Sequence, residues 1–333
     1  MKKKIALVTG GYSGESVISY KTADTIFNNI EKDKWDCFVI DIHPDGWFYR
    51  DGEKKLPVDK NDFSVNVNGS KIIFDAALIA LHGTPGEDGK LQGYFDCIKL
   101  PYTSCDAATS ALTFNKRYTV AVAAFAGIPV AKSLHLFKNV PYDILKISSV
   151  LQLPVFVKPN NGGSSIGMSK VNKVEDLEAS LQKAFAEDSQ VLVEEFISGR
   201  EFTIGIFQHK GKIIPLPITE IISKNDFFDY EAKYEGASEE VTPAVVDEII
   251  AEQVRNEAVK VYEVFNCAGV VRMDFIYSDN HKRPYLLEIN TVPGQSAASI
   301  VPQQVKAMGW TLEKFYTALL EEGFNHFDRS FND

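Results

Sequence analysis

Apolar residues in the first third of the chain come in short runs that alternate with a helical segment. Residues 4–9 are mostly apolar, a helical stretch follows over about 16–29, and strands recur over 36–41 and 75–81. Strands that alternate with helices are typical of an open α/β sheet. The pattern therefore predicts an N-terminal α/β domain over 1–105, which ends where the chain turns into a run of small residues.

Two residues of this domain follow strand ends, where an open α/β sheet binds its ligands. His82 comes directly after the last of these strands, and Glu15 follows the glycine turn after the first. An imidazole and a carboxylate in these positions indicate a ligand site, in which Glu15 is suited to hold an ammonium group, against the alternative that His82 has only a structural role. The GxGxxG spacing of a dinucleotide site is absent from the turn, which disfavours a dehydrogenase.

A second region contains a glycine-rich loop between strands. One strand ends at Lys158, the loop spans 160–167, and a later strand over 191–195 ends in Glu194 and Glu195. Backbone N–H groups of such a loop approach phosphate oxygens closely, and the lysine adds a positive charge. The segment therefore predicts a phosphate contact, against the alternative of a plain hairpin loop.

The middle of the chain also contains segments with weaker patterns. Small and apolar residues around Lys116 predict that it lies in the middle of a helix. A lysine in such a position is ordinarily exposed to solvent and has no specific role. Residues 221–241 are polar, aromatic and unpatterned, which predicts a long mobile loop of the kind that often serves as an active-site lid. Residues 242–243, Thr-Pro, are predicted to start the next helix. We assign 106–198 to a second domain and 199–333 to a third.

Two segments near the end of the chain, 271–275 and 286–290, alternate apolar and polar residues as β-strands do, and a turn-rich connector between them predicts an antiparallel hairpin. Side chains two apart on a strand share one face. The polar residues of that face are Arg272, Asp274, Glu288 and Asn290. Two carboxylates and a carboxamide suit a hard cation such as Mg²⁺, whereas the alternative is a solvated face with a surface ion pair.

Composition excludes several classes of protein. A net charge of −10 over 333 residues disfavours nucleic-acid binding, because phosphate backbones need a basic surface. No apolar run approaches the ~20 residues that span a membrane, and the apolar segment after the N-terminal lysines is too short for a signal peptide. The four cysteines have no CxxC spacing, so reduced thiols in a cytoplasmic enzyme are expected.

Together these motifs resemble the ATP-grasp superfamily and, within it, the bacterial D-alanine–D-alanine ligases. Matching segments occur in family order along nearly the whole chain: 10–15, 82–93, 157–159, 163–168, 199–203, 229–234, 272–274, 287–291, 293–294 and 299–302. The resemblance implies an α/β fold, α+β in parts. In this ATP-grasp fold an N-terminal open α/β domain is followed by two α+β domains that grip ATP between them.

The resemblance also implies roles for individual residues around ATP and the metal. The residues at the nucleotide would be Lys116 and Lys158 at the phosphates, and Glu194 and Glu201 at the nucleoside. The ligands of two Mg²⁺ (or Mn²⁺) ions would be Asp274, Glu288 and Asn290. These ions would bridge the phosphates of ATP.

Around the amino-acid substrates, the resemblance implies two further groups. The first group would hold the first D-alanine. Glu15 would bind its ammonium group in a hydrogen-bonded set with Ser164 and Tyr234, and His82 would lie close to that set. The second group would act in peptide-bond formation. Arg272 and the Gly294 N–H would stabilise the oxyanion, and Lys233 and Ser299 would bind the carboxylate of the second D-alanine.

The implied activity is the ATP-dependent joining of two D-alanines through an acyl phosphate, for peptidoglycan precursors. D-lactate or D-serine as second substrate is the alternative, although Lys233 and Tyr234 resemble the dipeptide-forming enzymes. The chain departs from the family pattern at Ser16, where Arg is common, and at Gln295, where an apolar residue is common. A non-catalytic two-lobed binding protein is disfavoured by the hairpin. The resemblance also implies a homodimer, and no nucleic-acid or membrane partner is expected.

Overall fold

The structure is a computed structural model, and it describes residues 2–163, 166–223 and 238–332. Three β-sheets of seven, four and six strands organise these residues. Each sheet lies within one of the three domains predicted from the sequence, and the boundaries near 105 and 198 stay predictions. No helix in the described ranges is long and apolar enough to cross a membrane.

The N-terminal sheet has the strand order β6-β5-β4-β3-β2-β1-β7. Its elements are β1 (Lys3–Gly10), α1 (Ser16–Asn29), β2 (Trp35–His43), β3 (Gly46–Asp51), β4 (Lys54–Asp59), β5 (Ser64–Val67), β6 (Ser70–Ile72), β7 (Ala76–Ile79) and α2 (Lys90–Cys97). Because β1 is parallel to both β2 and β7, a crevice opens beyond the ends of β1 and β7. The predicted strand–helix–strand opening is confirmed.

The four-stranded sheet has the order β10-β9-β11-β8, with antiparallel pairs throughout. The elements of this part are α3 (Ala107–Phe114), α4 (Lys116–Phe125), β8 (Ser133–Phe137), α5 (Ile144–Val150), β9 (Val155–Pro159), β10 (Ser169–Val171), a 3₁₀ turn (Val174–Asp176), α6 (Leu177–Glu187) and β11 (Gln190–Glu195). The prediction that Lys116 lies mid-helix is wrong. Asn115 ends α3 and caps α4 by accepting a hydrogen bond from the Tyr118 N–H at 3.1 Å, so Lys116 begins a helix.

The third sheet has the path β15-β14-β12-β16-β17, and β13 pairs with β12. The elements are β12 (Gly199–His209), β13 (Lys212–Pro215), β14 (Thr219–Ser223), β15 (Ser238–Val241), α7 (Glu248–Val264), β16 (Val270–Ser278), β17 (Arg283–Asn290), α8 (Ile300–Ala307) and α9 (Leu312–Asn332). Helix α7 packs on the sheet through Val254, Ala258 and Val261, all fully buried. These contacts fix the sheet whose β16–β17 hairpin carries the predicted metal ligands.

For the segment before α7, the predicted bounds of the loop and the predicted start of the helix are wrong. The loop predicted over 221–241 is bounded by strands, since β14 and β15 pair antiparallel at its two ends. Residues 224–237 lie outside the described residues, so the lid itself stays a prediction. Residues 242–243 do not start a helix, because a hydrogen bond between the Thr242 and Thr219 hydroxyls and one from the Ala244 N–H to the Ile218 carbonyl hold this segment at the start of β14. Helix α7 begins only at Glu248.

Candidate active site

A cavity of about 390 Å³ brings together residues that lie far apart in the sequence and belong to all three sheet regions. Most of the predicted site residues line it: Glu15, His82, Lys116, Glu194, Glu201, Arg272, Asp274, Glu288, Asn290, Gly294 and Ser299. Lys158 does not line this cavity. Ser164, Lys233 and Tyr234 lie outside the described residues.

The β16–β17 hairpin has the antiparallel arrangement that its sequence predicts, and Asp274 lies opposite Glu288. Arg272 holds Asp274 in a two-pronged ion pair, Nε to Oδ1 and Nη2 to Oδ2, each at 3.0 Å. The Asn290 amide donates to Oδ2 of Asp274 at 3.4 Å, and the Thr203 hydroxyl of β12 donates to Oδ1. We call Arg272, Asp274, Glu288 and Asn290 the acidic hairpin.

Arg272 keeps its positive charge in this setting. Burial is the largest single influence and favours the neutral guanidinium. The carboxylates of Asp274 and Glu288 outweigh it, so that the pKa of Arg272 is raised above its usual value. A permanent cation with a fixed orientation therefore lies at the cavity wall, which suits the stabilisation of developing negative charge.

The oxygen donors of the acidic hairpin fit a hard cation that is shared with phosphate. Two carboxylates and one carboxamide face the same cavity. In the described part of the chain no three His, Cys, Asp or Glu side chains come together as a metal cage. Mg²⁺ is usually bound by one or two carboxylates, with waters and substrate phosphates as its other ligands. The donor set therefore matches a metal bound together with a nucleotide.

Two lysines of the central region have different partners. Lys116, at the start of α4, donates from Nζ to the Gly162 carbonyl at 2.6 Å and so contacts the glycine-rich loop. Lys158 and Glu194 form an ion pair with 2.5 Å between Nζ and Oε2, and both side chains are mostly buried. Because Glu194 lines the cavity, this pair places the charge of Lys158 directly behind the cavity wall.

Glu15 and His82 lie at the carboxyl ends of β1 and β7, as predicted. Two glycines approach the Glu15 carboxylate so closely that a Cβ on either would require the carboxylate to shift. A Cβ on Gly83 would lie 2.7 Å from Oε2, and a Cβ on Gly163 would lie 2.8 Å from Oε1. Gly83 also has a φ of +68°, which favours glycine. We call Glu15, His82 and Gly83 the N-terminal crevice.

The electrostatic surroundings of Glu15 disfavour its charge. Burial raises the pKa of Glu15 above its usual value, and the carboxylates of Glu87 and Glu288 raise it further. His82 and Lys116 lower it by smaller amounts in total, so the net direction is upward. A ligand ammonium group beside this carboxylate would restore a favourable charge balance. The crevice is therefore suited to a cationic end of a substrate.

Sequence reasoning missed two acidic residues of the cavity, Glu87 and Glu240. Glu87 accepts a hydrogen bond from the Gly83 N–H at 2.8 Å, and its Oε1 lies 3.9 Å from Nδ1 of His82. Burial raises the pKa of Glu240, whose carboxylate accepts from Gln303 at 3.1 Å. Glu87 belongs to a segment that the sequence already marks as turn-rich, whereas the short strand of Glu240 gave no usable signal.

Comparisons with known proteins agree along the chain. A family model described as the D-ala D-ala ligase N-terminus matches residues 4–105, and one described as the D-ala D-ala ligase C-terminus matches residues 116–321. A D-alanine–D-alanine ligase of Flavobacterium johnsoniae is 46% identical over 320 residues, which are 96% of this chain and 98% of the relative.

Solved structures give the same result. The VanG D-Ala:D-Ser ligase from Enterococcus faecalis has 30% sequence identity and a TM-score of 0.88, and the match covers 97% of this chain and 100% of that one. The D-alanine–D-alanine ligase from Bacillus anthracis complexed with ATP has 26% identity and a TM-score of 0.80, over 98% of this chain and 99% of that one.

Proposed function

The chain belongs to the D-alanine–D-alanine ligase family, and we propose that it joins two D-alanine molecules while it cleaves ATP to ADP and phosphate. The ATP-grasp fold expected from the sequence is confirmed by the similarity to solved ligases. One observation carries the proposed activity: the acidic hairpin lines the same cavity as Glu15 and His82 of the N-terminal crevice. A phosphate-binding end and an ammonium-binding end therefore share one space.

The first chemical step makes a carboxylate reactive. A carboxylate oxygen of the first D-alanine attacks the γ-phosphorus of ATP. The bond between this phosphorus and the bridging oxygen of ADP breaks, so that an acyl phosphate forms and ADP leaves. Glu15 holds the ammonium group of this substrate beside His82. Lys116 and Lys158 contribute positive charge on the side of the phosphates, and Glu194 and Glu201 contact the nucleoside.

The second step forms the peptide bond. The amine of the second D-alanine attacks the acyl carbon, the carbonyl electrons move onto oxygen, and phosphate leaves as the carbonyl re-forms and the amine loses a proton. Arg272 and the Gly294 N–H stabilise the transient oxyanion. Ser299 precedes the N-terminus of α8, where a carboxylate of the second substrate meets a favourable helix dipole.

The remaining assignments rest on the resemblance and on the donor set. Asp274, Glu288 and Asn290 would hold two Mg²⁺ (or Mn²⁺) ions, whose chemistry is to neutralise charge on the phosphate oxygens. Ser164 and Tyr234 would complete the hydrogen-bonded set of Glu15. Lys233 would bind the carboxylate of the second D-alanine together with Ser299. The loop predicted over 221–241, acting as a lid, would protect the acyl phosphate from water.

ADP release tests this function directly. We expect release that depends on both Mg²⁺ and D-alanine, and little release with L-alanine. Glu288→Gln should lower turnover by about 10²-fold or more, because it removes a charged metal ligand. The exposed residue Glu252 on α7 offers a matched control, and Glu252→Gln should leave turnover unchanged. ATP cleavage that ignores D-alanine, or that survives Glu288→Gln intact, would contradict the proposal.

D-serine as the second substrate is the second candidate function. It is favoured by the similarity to a D-Ala:D-Ser ligase structure at 30% identity. Mass-spectrometric identification of the product at neutral pH, in reactions with D-alanine plus either D-serine or D-lactate, distinguishes the candidates. We expect the product of two D-alanines to dominate, since residues 233–234, Lys-Tyr, resemble the dipeptide-forming enzymes.

Assembly and location complete the proposal. We propose a homodimer in the cytoplasm, on the basis of the family resemblance. Light scattering of the purified chain should give twice the mass of one chain. A monomer at micromolar concentration would contradict the dimer without affecting the proposed chemistry.

A further inference from the structure

Helix α1 contacts the catalytic part of the cavity through a buried hydroxyl that the chemistry above does not use. We propose that Thr22 is a positioning residue that fixes the His82 ring with its proton on Nδ1 and at the same time holds the backbone after Gly294. Its effect on catalysis rests on the proposed function, whereas the position of the ring proton does not.

The contacts of Thr22 join three segments that are remote in sequence. Its Oγ1 lies 3.0 Å from Nε2 of His82, a residue 60 positions away, and both side chains are buried. The Gln295 N–H donates to the same oxygen at 3.3 Å across 273 positions. One hydroxyl therefore links α1 to the end of β7 and to the loop before α8.

These contacts favour one position of the proton on the His82 ring. The Gln295 N–H can only donate, so Oγ1 of Thr22 accepts from it and keeps its own proton for another partner. Among the described residues, Nε2 of His82 is the other hydrogen-bond partner of Thr22 and can accept that proton. A neutral imidazole that accepts at Nε2 carries its proton on Nδ1. Donation from Thr22 thus selects the Nδ1–H tautomer.

The other contacts of His82 agree with this tautomer. Its Nδ1 faces the Glu87 carboxylate, with 3.9 Å to Oε1, so an Nδ1–H points toward negative charge. Ser19, one helical turn before Thr22, accepts the His82 backbone N–H at 2.9 Å. Glu15 also lines this cavity beside His82. Helix α1 therefore fixes both the backbone and the ring of His82.

The same hydroxyl also affects the loop that carries the proposed oxyanion donor. Gln295 directly follows Gly294, and its side chain is 3% exposed. A hydrogen bond from the Gln295 N–H to Thr22 restrains the peptide plane next to Gly294. Loss of the Thr22 hydroxyl should thus disturb both the His82 imidazole and the backbone at Gly294 and Gln295.

The tautomer is tested by ¹⁵N NMR of the full chain labelled at histidine, at about pH 8.5, two units above the ordinary histidine pKa. We expect His82 of the wild type to show a protonated Nδ1 and an unprotonated Nε2. Thr22→Val should shift the ring toward the Nε2–H form, and Thr22→Ser should restore the wild-type pattern. A protonated Nε2 in the wild type, or an unchanged ring in Thr22→Val, overturns the proposal.

Steady-state kinetics tests the catalytic consequence. Thr22→Val should lower kcat/KM for D-alanine roughly five- to tenfold, as expected for the loss of one buried hydrogen-bonding partner, while KM for ATP stays unchanged. Thr22→Ser should recover most of the loss. Thr25→Val is the matched control, since Thr25 lies on the same helix and, among the described residues, its hydroxyl bonds locally, to the Lys21 carbonyl at 3.1 Å.

The two measurements separate failure of this proposal from failure of the proposed function. If the wild type makes no ADP with D-alanine, the function fails, and the NMR spectrum still decides the tautomer. If Thr22→Val lowers the affinities for ATP and D-alanine equally, Thr22 has only a structural role. If Thr22→Val does not fold, the wild-type and Thr22→Ser spectra remain decisive.

Discussion

The acidic hairpin and the N-terminal crevice both bring carboxylates to one cavity, but they differ in how the negative charge is neutralised. In the hairpin, the Asp274 carboxylate is already matched by a guanidinium, with Nη2 of Arg272 at 3.0 Å. In the crevice, Glu15 lies near a second carboxylate, Glu87, and its pKa is raised. The hairpin is thus organised before any ligand binds, whereas the crevice gains its balancing charge from the ligand.

Removal of the guanidinium should give the largest effect and tests the pre-organised half of this comparison. Arg272→Ala should lower kcat about 10²–10³-fold, because it removes an oxyanion donor and the guanidinium that neutralises the Asp274 carboxylate. The measurement is ADP release at saturating ATP and D-alanine. Turnover close to that of the wild type would show that the charge of Arg272 does not act in the transition state.

The same sheet provides a matched control for Arg272. Arg200 of β12 also forms a two-pronged pair, with Glu220 at 2.7 and 2.8 Å, and neither residue lines the cavity. Arg200→Ala removes a guanidinium from an equivalent pair on the same sheet. It should reduce stability slightly and leave kcat unchanged. Equal losses in both variants would instead indicate a general effect on the sheet.

The buried ion pair of Lys158 and Glu194 is a third arrangement of charge at the cavity. Its carboxylate is already paired with a cation, as in the acidic hairpin, and we propose that the pair acts on the nucleotide. Lys158→Met should raise KM for ATP about 10- to 100-fold, as expected for loss of a charged hydrogen-bond donor to phosphate, and leave KM for D-alanine almost unchanged. Lys170→Met on the neighbouring strand β10 is the control, since the Lys170 ammonium lies over the Phe196 ring, 4.4 Å from its centroid, whereas that of Lys158 pairs with Glu194 of the cavity wall. An unchanged KM for ATP would make the pair purely structural.

A methyl group in the crevice tests how closely Glu15 is held. Gly83→Ala places a Cβ 2.7 Å from Oε2 of Glu15 at a φ of +68°. Gly52→Ala has a similar φ of +61° with open space around the Cβ. Both variants should lose about 1 kcal/mol of unfolding free energy from backbone strain. Only Gly83→Ala should also raise KM for D-alanine, and equal KM values in both variants would contradict the close fit.

The two regions also differ in how far the sequence predicts them. The hairpin was predictable because its chemistry follows local alternation, which sets Arg272 beside Asp274 and pairs their strand with that of Glu288. The crevice was predictable only as far as the ends of β1 and β7, since open sheets bind ligands there. The hydrogen bonds that Thr22 makes with residues 60 and 273 positions away require the folded chain.

The wrong predictions have a related physical origin. A run of small residues gave no sign that Asn115 would end one helix and cap the next, so Lys116 was placed mid-helix. Residues 242–243 have the composition of a helix start, but the Ala244 N–H donates to the Ile218 carbonyl at 2.9 Å and holds the segment to β14. Tertiary hydrogen bonds overrode a local signal in that case.

The smallest expected effect concerns stability, and it tests the unmatched carboxylate of the crevice. Because the folded state raises the pKa of Glu15 above 4.5, it binds the proton more tightly than the unfolded chain. The contribution of Glu15 to stability is therefore full below about pH 4.5 and is lost as the pH rises through the raised value. Glu15→Gln cannot ionise, so it should raise Tm at pH 7 by roughly 1–3 °C.

Thermal unfolding of Glu15→Gln across pH 4 to 8, without ligands, checks this prediction. The gain in Tm should disappear below about pH 4.5, where the wild-type carboxyl group is also neutral. Glu53→Gln, at an exposed site between β3 and β4, is the control and should show no pH-dependent gain. Since the same substitution removes the group that binds the ammonium of D-alanine, catalytic efficiency should fall while stability rises. A variant that is less stable at pH 7 would mean that Glu15 is already balanced by charge in the free protein, and the contrast with the acidic hairpin would then disappear.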